Sequence, residues 1–240
     1  GADGQLVSRR PFRAPHASAT NAALVGGGNP PSPGEVSLAH HGVLFLDETP
    51  EFSRAALESL RAPLEDRQVT ISRSGRRVRF PSSFSLVCAM NPCPCGYAGD
   101  PSRDCRCTPL QVERYVRRLS GPLMDRIDLH VRLDPVDPER LLVAEEVEDA
   151  HGALERVTRA RAVQVARNQR DGSSQTNAAL DLQGLQRWAS LTRSSRQFLI
   201  QASRRIGLSA RAFHRVIRVA RTVADLSGHE DVRRAHLAEA

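Results

Sequence analysis

Two short apolar runs in the first half of the chain each end in polar side chains. GVLFL, residues 42–46, carries no charge and is followed directly by Asp47 and Glu48. FSLVCAM, residues 84–90, is followed by Asn91. Runs of this length and composition predict buried strands. Because ligands of open α/β sheets bind beyond the carboxyl ends of the strands, we expect Asp47, Glu48 and Asn91 on the ligand-binding side.

Other patterns predict the elements around these strands. Ser53 is placed to cap a helix that continues through Leu64. VTISRSGRRVRF, residues 69–80, consists of two β-prone runs around a Ser-Gly pair and predicts a hairpin. We expect a helix over residues 109–119, and strict apolar alternation in IDLHVRL predicts a third strand over residues 127–133.

The pattern changes after residue 133. LDPVDPER, residues 133–140, is typical of a linker, and the sequence beyond it is helical throughout. The best-defined helix begins after Ser209 and ends at Ser227-Gly228. Strands that alternate with helices, followed by an all-helical segment, predict an α/β nucleotide-binding layer at residues 1–135 and a helical domain at residues 136–240.

Composition constrains the partners of the chain. The net charge is +7 and the isoelectric point is near 10.0, which favours a polyanionic partner. All 34 basic residues are arginine, so no segment of the sequence satisfies the P-loop pattern G-x-x-x-x-G-K-[ST]. No apolar run approaches the roughly 18 residues of a membrane span, and the first residues lack a signal region, so we expect no membrane partner and a cytoplasmic location.

The carboxylates after the first strand suit nucleotide hydrolysis. Asp47 could hold Mg²⁺, Glu48 could orient and deprotonate the attacking water, and Asn91 could hydrogen-bond that water or the γ-phosphate. The alternative is a strand that simply ends in acids.

Five motifs occur in one order along nearly the whole chain: RRPFRAPH, GVLFLDETPEF, FSLVCAMNPCPCG, LSGPLMDRIDLH and GLSARAFHRVIRVARTVADL. Together they resemble the magnesium-chelatase-like AAA+ ATPases of the ComM/YifB type. The resemblance implies a partial AAA+ P-loop-type three-layer αβα core at residues 1–135, a C-terminal all-helical lid at residues 136–240, and ATP with Mg²⁺ as ligands. In that family a Lon-protease-like domain and the P-loop lie upstream, so we expect this stretch to be inactive alone.

The resemblance also implies residue roles. Asp47 and Glu48 match the Walker B pair, Asn91 matches sensor 1, Arg126 matches the arginine finger and Arg211 matches sensor 2. A planar, permanently charged guanidinium suits the charge that develops on a γ-phosphate.

Both arginine assignments have structural alternatives. Arg126 could form a surface ion pair with Asp125 or Asp128. Arg211 could belong to a solvated helix face that it shares with Arg215 and Arg218.

The segment that contains the predicted hairpin, RQVTISRSGRRVRF at residues 67–80, is strongly basic. It carries no acid and five arginines: Arg67, Arg73, Arg76, Arg77 and Arg79. By resemblance it is the pre-sensor-1 hairpin, which points into the central pore of hexameric motors. Guanidinium groups on a thin ribbon suit the phosphate backbone of single-stranded or branched DNA. The alternative is an exposed edge that charge keeps soluble.

Four cysteines lie in one short loop, CPCGYAGDPSRDCRC, as two C-x-C pairs: Cys93, Cys95, Cys105 and Cys107. Four thiolates could close a tetrahedral Zn²⁺ site. Free thiols in a reducing cytosol, or disulfides formed during purification, are the alternatives.

Three functions remain open from the sequence. The resemblance implies a homo-hexameric ATPase that acts on DNA, with helicase or branch-migration activity in natural transformation. The second is the motor subunit of a chelatase that inserts metal into a porphyrin. The third is a non-enzymatic, zinc-stabilised nucleic-acid-binding module.

Overall fold

The computed structural model describes residues 9–73, 75–133, 150–169 and 176–240. The chain divides into two compact units, Gly1–Pro135 and Val136–Ala240. Most of the predicted linker at residues 133–140 and the first part of the helical segment after it lie outside the described residues. The described fold is mixed α/β, with a parallel sheet in the first unit and helices in both.

A parallel three-stranded sheet organises the first unit. Its strands are β1 (Phe12–Arg13), β4 (Val43–Leu46) and β7 (Ser85–Cys88), in the order β1-β4-β7. The register runs from Val43 opposite Ser85 to Leu46 opposite Cys88. Both predicted strands therefore form, and they end side by side.

Two antiparallel hairpins lie outside this sheet. The first pairs β2 (Gly26–Gly27) with β3 (Ser32–Pro33). The second pairs β5 (Gln68–Arg73) with β6 (Arg76–Pro81), as the sequence predicted, and Gly75 in its turn adopts a φ of 73° that suits glycine.

The helices of the first unit are short and pack around the sheet. They are α1 (Asn21–Val25), α2 (Glu35–Leu38), α3 (Arg54–Ser59), α4 (Arg61–Asp66), α5 (Pro109–Val116) and α6 (Gly121–Met124). The Ser53 side chain accepts a hydrogen bond from the Ala56 amide and caps α3, as predicted. Their apolar side chains form one core with the strands: Leu24, Val36, Leu44, Leu46, Leu57, Leu60 and Leu123 are all buried.

The helix predicted from Ser53 through Leu64 is divided. The first part, α3, ends at Ser59, and α4 begins at Arg61 and contains Pro63. Proline has no amide hydrogen, so Pro63 cannot donate to the Ser59 carbonyl one turn earlier. The two short helices nevertheless bury Leu57 and Leu60 in the same core.

The third strand predicted over residues 127–133 does not form. These residues have no regular structure, and the side chains of Leu129, Val131 and Leu133 are 63%, 80% and 87% exposed. A strand needs a neighbour that supplies hydrogen bonds, and no strand in the described part of the chain pairs with this segment. Strand β7, an edge of the described sheet, is also partly uncovered, because Val87 is 45% exposed.

The second unit is helical wherever it is described. Its helices are α7 (Ala150–Gln169), α8 (Leu182–Trp188), α9 (Arg193–Ile206), α10 (Ala210–Leu226) and α11 (Arg234–Glu239). Helix α10 begins as predicted, because the Ser209 side chain accepts a hydrogen bond from the Ala212 amide. Its apolar face packs into a core that includes Leu185, Leu199, Ile217, Ala220, Ala224, Val232 and Leu237.

A buried polar network reinforces this helical core. Asp225 of α10 accepts hydrogen bonds from Arg167 at 2.9 and 3.0 Å and from Asn177 at 2.7 Å. Arg221, one turn earlier, donates to Asp225 at 3.1 Å and to the His229 carbonyl at 2.6 Å. Such a network is stable only when its members satisfy each other. It therefore fixes α7 and the turn after α10 to the rest of this unit.

Among the described residues, no helix has both the length and the apolar character that crossing a bilayer requires.

Candidate functional site

The ends of β4 and β7 are joined by one threonine. The Thr49 amide donates to the Ala89 carbonyl at 2.9 Å, and its hydroxyl donates to the Leu46 carbonyl at 2.8 Å. The Ala89 amide returns a hydrogen bond to the Leu46 carbonyl at 2.9 Å. These contacts place Asp47, Glu48 and Asn91 at the same edge of the parallel sheet.

Glu48 has a backbone conformation that is uncommon for a residue with a side chain. Its φ of 46° and ψ of 44° lie in the left-handed region. The Asp47 carboxylate accepts a hydrogen bond from the Glu48 amide at 2.8 Å, and the Glu48 carbonyl accepts one from Glu51 at 2.7 Å. Local strain of this kind is concentrated at functional sites. Both carboxylates are exposed and hence accessible to a ligand.

Tyr115 connects Asn91 with the carboxylates, and sequence reasoning missed it. Burial raises the pKa of Tyr115, a hydrogen bond with the Asn91 backbone opposes the shift, and the charges of Glu51 and Glu48 add to it. Tyr115 is therefore near Asn91 and close enough to Glu51 and Glu48 for their charges to act on its hydroxyl. A single aromatic residue in a charged helix gave no signal that could have identified this contact.

Arg118, another residue that the sequence did not single out, holds the segment after the carboxylates. It donates to the Pro50 carbonyl at 2.8 Å and to Glu51 at 3.1 Å. Tyr115 belongs to α5 and Arg118 follows that helix directly. The α5 region therefore supports both sides of the candidate site.

Arg126 is engaged within its own chain. Its guanidinium pairs with Glu65 and donates to the Pro122 carbonyl at 2.6 Å. The side chain is only 15% exposed, and its Nε atom is buried without a hydrogen-bond partner in the described structure. Arg126 does form an ion pair, as the structural alternative predicted. Its partner is Glu65, 61 positions away in sequence, whereas the prediction named Asp125 or Asp128.

Arg211 lies in the second unit, in the first turn of α10, and is exposed. Two arginines further along the helix, Arg215 and Arg218, were expected on the same solvated face. Both are half-buried, and Arg218 donates to the Leu180 carbonyl at 2.9 Å. The helix face that carries these arginines is therefore partly packed against the rest of the unit and not wholly solvated.

The hairpin arginines crowd at its tip. Arg73 lies directly opposite Arg76, and Arg77 and Arg79 lie opposite Ser72 and Thr70 on the other face. The four side chains are exposed, and none forms an ion pair with another described residue. Like charges directly opposite each other destabilise a sheet, so the isolated hairpin is not optimised for its own stability. Arg67 precedes β5, in a left-handed conformation at the end of α4.

The four loop cysteines form a compact sulfur cluster. The Sγ atoms of Cys93 and Cys95 are 3.3 Å apart, and that of Cys105 lies 3.6 Å from each. All four sulfurs, including that of Cys107, lie within 4.8 Å of one another, and no disulfide joins them. Zn–S bonds of about 2.3 Å in a tetrahedron separate the sulfurs by about 3.8 Å. The cluster can therefore bind a metal ion.

The environment of the thiols differs within the cluster. Hydrogen bonds from the backbone of Tyr97 and Arg106 lower the pKa of Cys95 to about 6. A backbone hydrogen bond from Cys107 opposes a rise in the pKa of Cys105, but burial and the adjacent thiols raise it to about 12. Burial also raises the pKa of Cys107. One thiolate thus forms readily, and its crowded neighbours resist a second negative charge unless a cation is present.

Comparison with known proteins agrees with this architecture. The sequence profile described as magnesium chelatase, subunit ChlI, matches residues 1–141, and the profile of the ChlI C-terminal region matches residues 147–240. The chain belongs to the magnesium chelatase ChlI family. Within this family it is similar to the competence protein ComM of Haemophilus influenzae, with 45% identity over 235 residues, and to the uncharacterized protein YifB of Escherichia coli, with 43% identity over 235 residues.

These alignments cover 97% of the chain but only 44% of the ComM sequence and 45% of the YifB sequence. The chain thus spans less than half the length of the curated relatives that it matches. The resemblance to the ComM/YifB type of ChlI-family protein is confirmed, whereas the activity of a whole protein is a separate question.

Proposed function

We propose that this ChlI-family chain carries the carboxylate half of an ATP-hydrolysing AAA+ site. The observation that supports the proposal is that Asp47, Glu48 and Asn91 follow two adjacent strands of the parallel sheet, whose ends are joined by the hydrogen bonds of Thr49. A lysine-bearing phosphate loop has no counterpart in this sequence, and the proposal assigns that loop to a part of the protein outside residues 1–240.

Each residue at this edge has a distinct task in the proposed site. Asp47 holds Mg²⁺, which supplies charge neutralisation of the phosphates when bound. Glu48 accepts the proton of the attacking water, and its exposed carboxylate is free to approach that water. Asn91 orients the water or the γ-phosphate through its amide. Tyr115 and Arg118 hold the backbone that presents them.

The remaining expectations concern the whole assembly. In the proposal, residues 1–135 form a partial three-layer AAA+ core, residues 136–240 form a helical lid, and Arg211 has the role of sensor 2. Arg126 acts on the nucleotide of an adjacent subunit in a homo-hexamer. In this proposal the ion pair with Glu65 fixes the Arg126 side chain in the free chain and breaks when a neighbouring subunit binds.

The 240-residue chain alone is expected to show no ATP turnover above background. The amides and the lysine that grip the β- and γ-phosphates are missing, so ATP cannot be positioned. Phosphate release measured with purified chain, with and without Mg²⁺, tests this. Turnover that Glu48→Gln abolishes would show that the site is complete within these residues and would contradict the divided site.

We propose DNA as the substrate on which the motor acts, with helicase or branch-migration activity. The four exposed hairpin arginines carry this proposal, because they repel one another and gain stability when a polyanion neutralises them. The name of the relative from Haemophilus influenzae, a competence protein, supports a link to DNA taken up in transformation.

Removing two hairpin charges is expected to weaken DNA binding and its salt dependence. Arg77→Gln together with Arg79→Gln should reduce the slope of log K against log [salt] by about 2 for duplex DNA and about 1.4 for single strands. Fluorescence anisotropy with labelled oligonucleotides measures this. Thr70→Gln with Ser72→Gln, on the same hairpin face, controls for side-chain size; an equal loss in that variant would assign the effect to the shape of the hairpin.

The name of the matched family raises chelatase activity as a second candidate. Insertion of a metal into a porphyrin involves no nucleic acid, so the exposed hairpin arginines do not favour this candidate. Stimulation of ATP hydrolysis by DNA would favour the motor on DNA, whereas indifference to DNA at low salt would favour the chelatase. Salt-dependent DNA binding without hydrolysis in the longer protein would favour the non-enzymatic module.

We propose further that the cysteine cluster holds a structural Zn²⁺. The ion would join the end of β7 to the start of α5, because Cys93 follows Asn91 by two residues and α5 begins directly after Cys107 and its cap, Thr108. It would thereby fix the helix that presents Tyr115 to the candidate site.

Chain purified under reducing conditions is expected to contain one zinc per molecule by elemental analysis. Cys105→Ser with Cys107→Ser should abolish zinc retention and lower the melting temperature by several degrees, because metal-binding energy contributes to folding. Cys88→Ser, a change of the cysteine in β7 outside the cluster, should retain the ion. Metal-free wild-type protein with four reactive thiols would contradict the proposal.

A further inference from the structure

The positive charge of the chain is concentrated in its second half. Residues 1–149 contain 18 arginines and 20 acids, whereas residues 150–240 contain 16 arginines and only seven acids. Residues 182–224 contain nine arginines and no aspartate or glutamate. Residues 1–149, the basic hairpin included, therefore carry a net charge of −2, whereas residues 150–240 carry a net charge of +9.

Helix α9 carries part of this charge, and that part has no ion-pair partner among the described residues. It carries no acid, and its four arginines are Arg193, Arg196, Arg204 and Arg205. All four are exposed, and none forms an ion pair with another residue in the described part of the chain. We call these four residues the α9 arginine surface. By contrast, Arg167 and Arg221 of the same unit are buried and paired with Asp225.

The helical repeat places three members of the surface along one side. One face of the helix contains Arg193 and Arg204, with Gln197 and Ile200 between them. Arg196 lies at the edge of that face. Ser195 and Leu199 point the other way, into the core, and are buried. From Arg193 to Arg204 the helix rises about 16 Å. This side of α9 is therefore a basic strip long enough to follow several phosphates of one strand.

Intrahelical electrostatics explain only part of this pattern. Arg204 and Arg205 lie in the last turn, where positive charge complements the helix dipole. Arg193 and Arg196 lie at the opposite end, where the dipole is positive and no acid compensates for it. A positive charge at this end disfavours the helix and favours an external anion. One further arginine, Arg234 of α11, stacks on Phe198 of α9 with its guanidinium 4.8 Å from the ring centre and adds charge beside the surface.

We infer that the α9 arginine surface binds the phosphate backbone of nucleic acid, as a second contact separate from the hairpin. The inference rests on the nucleic-acid partner of the proposed function but places a new contact on the helical unit. Guanidinium groups bind phosphates in a bidentate manner, and the neighbouring Ser194, Gln197 and Gln201 offer hydrogen bonds. A helix that lies on a membrane would instead present a broad aromatic or leucine-rich face, whereas the exposed side of α9 between the arginines carries only Ile200.

The test compares DNA binding by the wild-type chain and by Arg196→Gln with Arg204→Gln across a salt series. The variant is expected to reduce the slope of log K against log [salt] by about 2 for duplex DNA. Its melting temperature should stay within a degree or two of wild type, since both side chains are exposed and unpaired. Arg114→Gln with Arg117→Gln on α5 removes the same net charge and serves as the control.

Each outcome decides the inference. An unchanged slope in the α9 variant overturns it, and so does an equal decrease in the α5 control, which would make net charge the cause. If only the hairpin variant lowers the slope, the inference fails while the proposed function stands; if only the α9 variant does, the inference stands and the hairpin contact fails. A wild-type chain that binds no DNA at 50 mM salt but sediments with phosphatidylserine vesicles, or that dimerises through α9, overturns it in favour of a lipid surface or a second copy.

Discussion

Replacing Arg126 with alanine in the proposed complete protein, which would include a phosphate loop, is expected to lower ATP hydrolysis about 10³-fold or more, with nucleotide affinity nearly unchanged. Arginine fingers contribute this much because their charge acts on the transition state and hardly on the bound ground state. The variant loses the ion pair with Glu65, whose carboxylate is half exposed, and the hydrogen bond to the Pro122 carbonyl. Each such interaction contributes roughly 1 kcal/mol to stability. Steady-state hydrolysis, nucleotide binding and thermal unfolding should be measured on the same preparation.

Glu65→Gln is the matched control, since it breaks the same ion pair and leaves the guanidinium intact. We expect this variant to hydrolyse ATP at the wild-type rate or faster, because Arg126 no longer has to leave a charged partner. Arg126→Lys should recover little activity, since an ammonium lacks the planar fork. If Glu65→Gln loses as much hydrolysis as Arg126→Ala, the ion pair itself matters and Arg126 is structural.

Replacing Glu48 with glutamine in the longer protein is expected to lower the rate of hydrolysis about 10²- to 10⁴-fold while ATP still binds. The amide has the shape of the carboxylate but cannot accept a proton from water, and general bases contribute a factor of this size. The backbone at Glu48, with its φ of 46°, should be unaffected, because its hydrogen bonds with Asp47 and Glu51 use main-chain atoms of Glu48. Hydrolysis under single-turnover conditions separates the chemical step from product release.

Glu51→Gln controls for the loss of one carboxylate three residues away. Glu51 binds Arg118 and does not directly follow the strand as Asp47 and Glu48 do. Its glutamine variant should therefore hydrolyse ATP within about tenfold of the wild-type rate. A large loss in Glu51→Gln together with full activity in Glu48→Gln would exchange the proposed roles of the two acids. In that case the strained backbone of Glu48 would serve the geometry of the turn alone.

The strands at the candidate site could be predicted because their signal is local. Val43–Leu46 and Ser85–Cys88 are short, rich in apolar residues and bounded by turns, and this pattern predicts a strand from neighbouring residues alone. The hairpin and α10 could be predicted for the same reason. The turn of the hairpin and the capping residues of α10 lie within a few positions of the residues whose pattern predicts each element. The two-residue strand β1 and the β2–β3 hairpin escaped prediction, since a pair of residues carries no periodicity.

The strand predicted over residues 127–133 shows the limit of periodicity. Alternation tells which side chains would be covered if a sheet were present, but the hydrogen bonds of a strand come from its neighbour. Leu129 and Val131 obey the pattern and remain uncovered. An error of this kind is invisible in the sequence of the segment itself.

The candidate site also has one part that the sequence predicts and another part that it does not. Asp47, Glu48 and Asn91 follow their strands directly, so the chain alone predicts that they share an edge. The groups that support them come from α5, more than twenty residues further on, and the partner of Arg126 lies 61 residues away. Side-chain contacts over such separations depend on packing that no local pattern encodes.

The open side of β7 has a practical consequence at the bench. The outer main-chain groups of β7 pair with no strand in the described part of the chain. Together with the uncovered Val87 and the alternating apolar residues 129–133, they are the features that make strands recruit strands from other molecules. Concentrated solutions of the isolated chain should become turbid on storage, and dilution or a charged residue in place of Val87 should delay it.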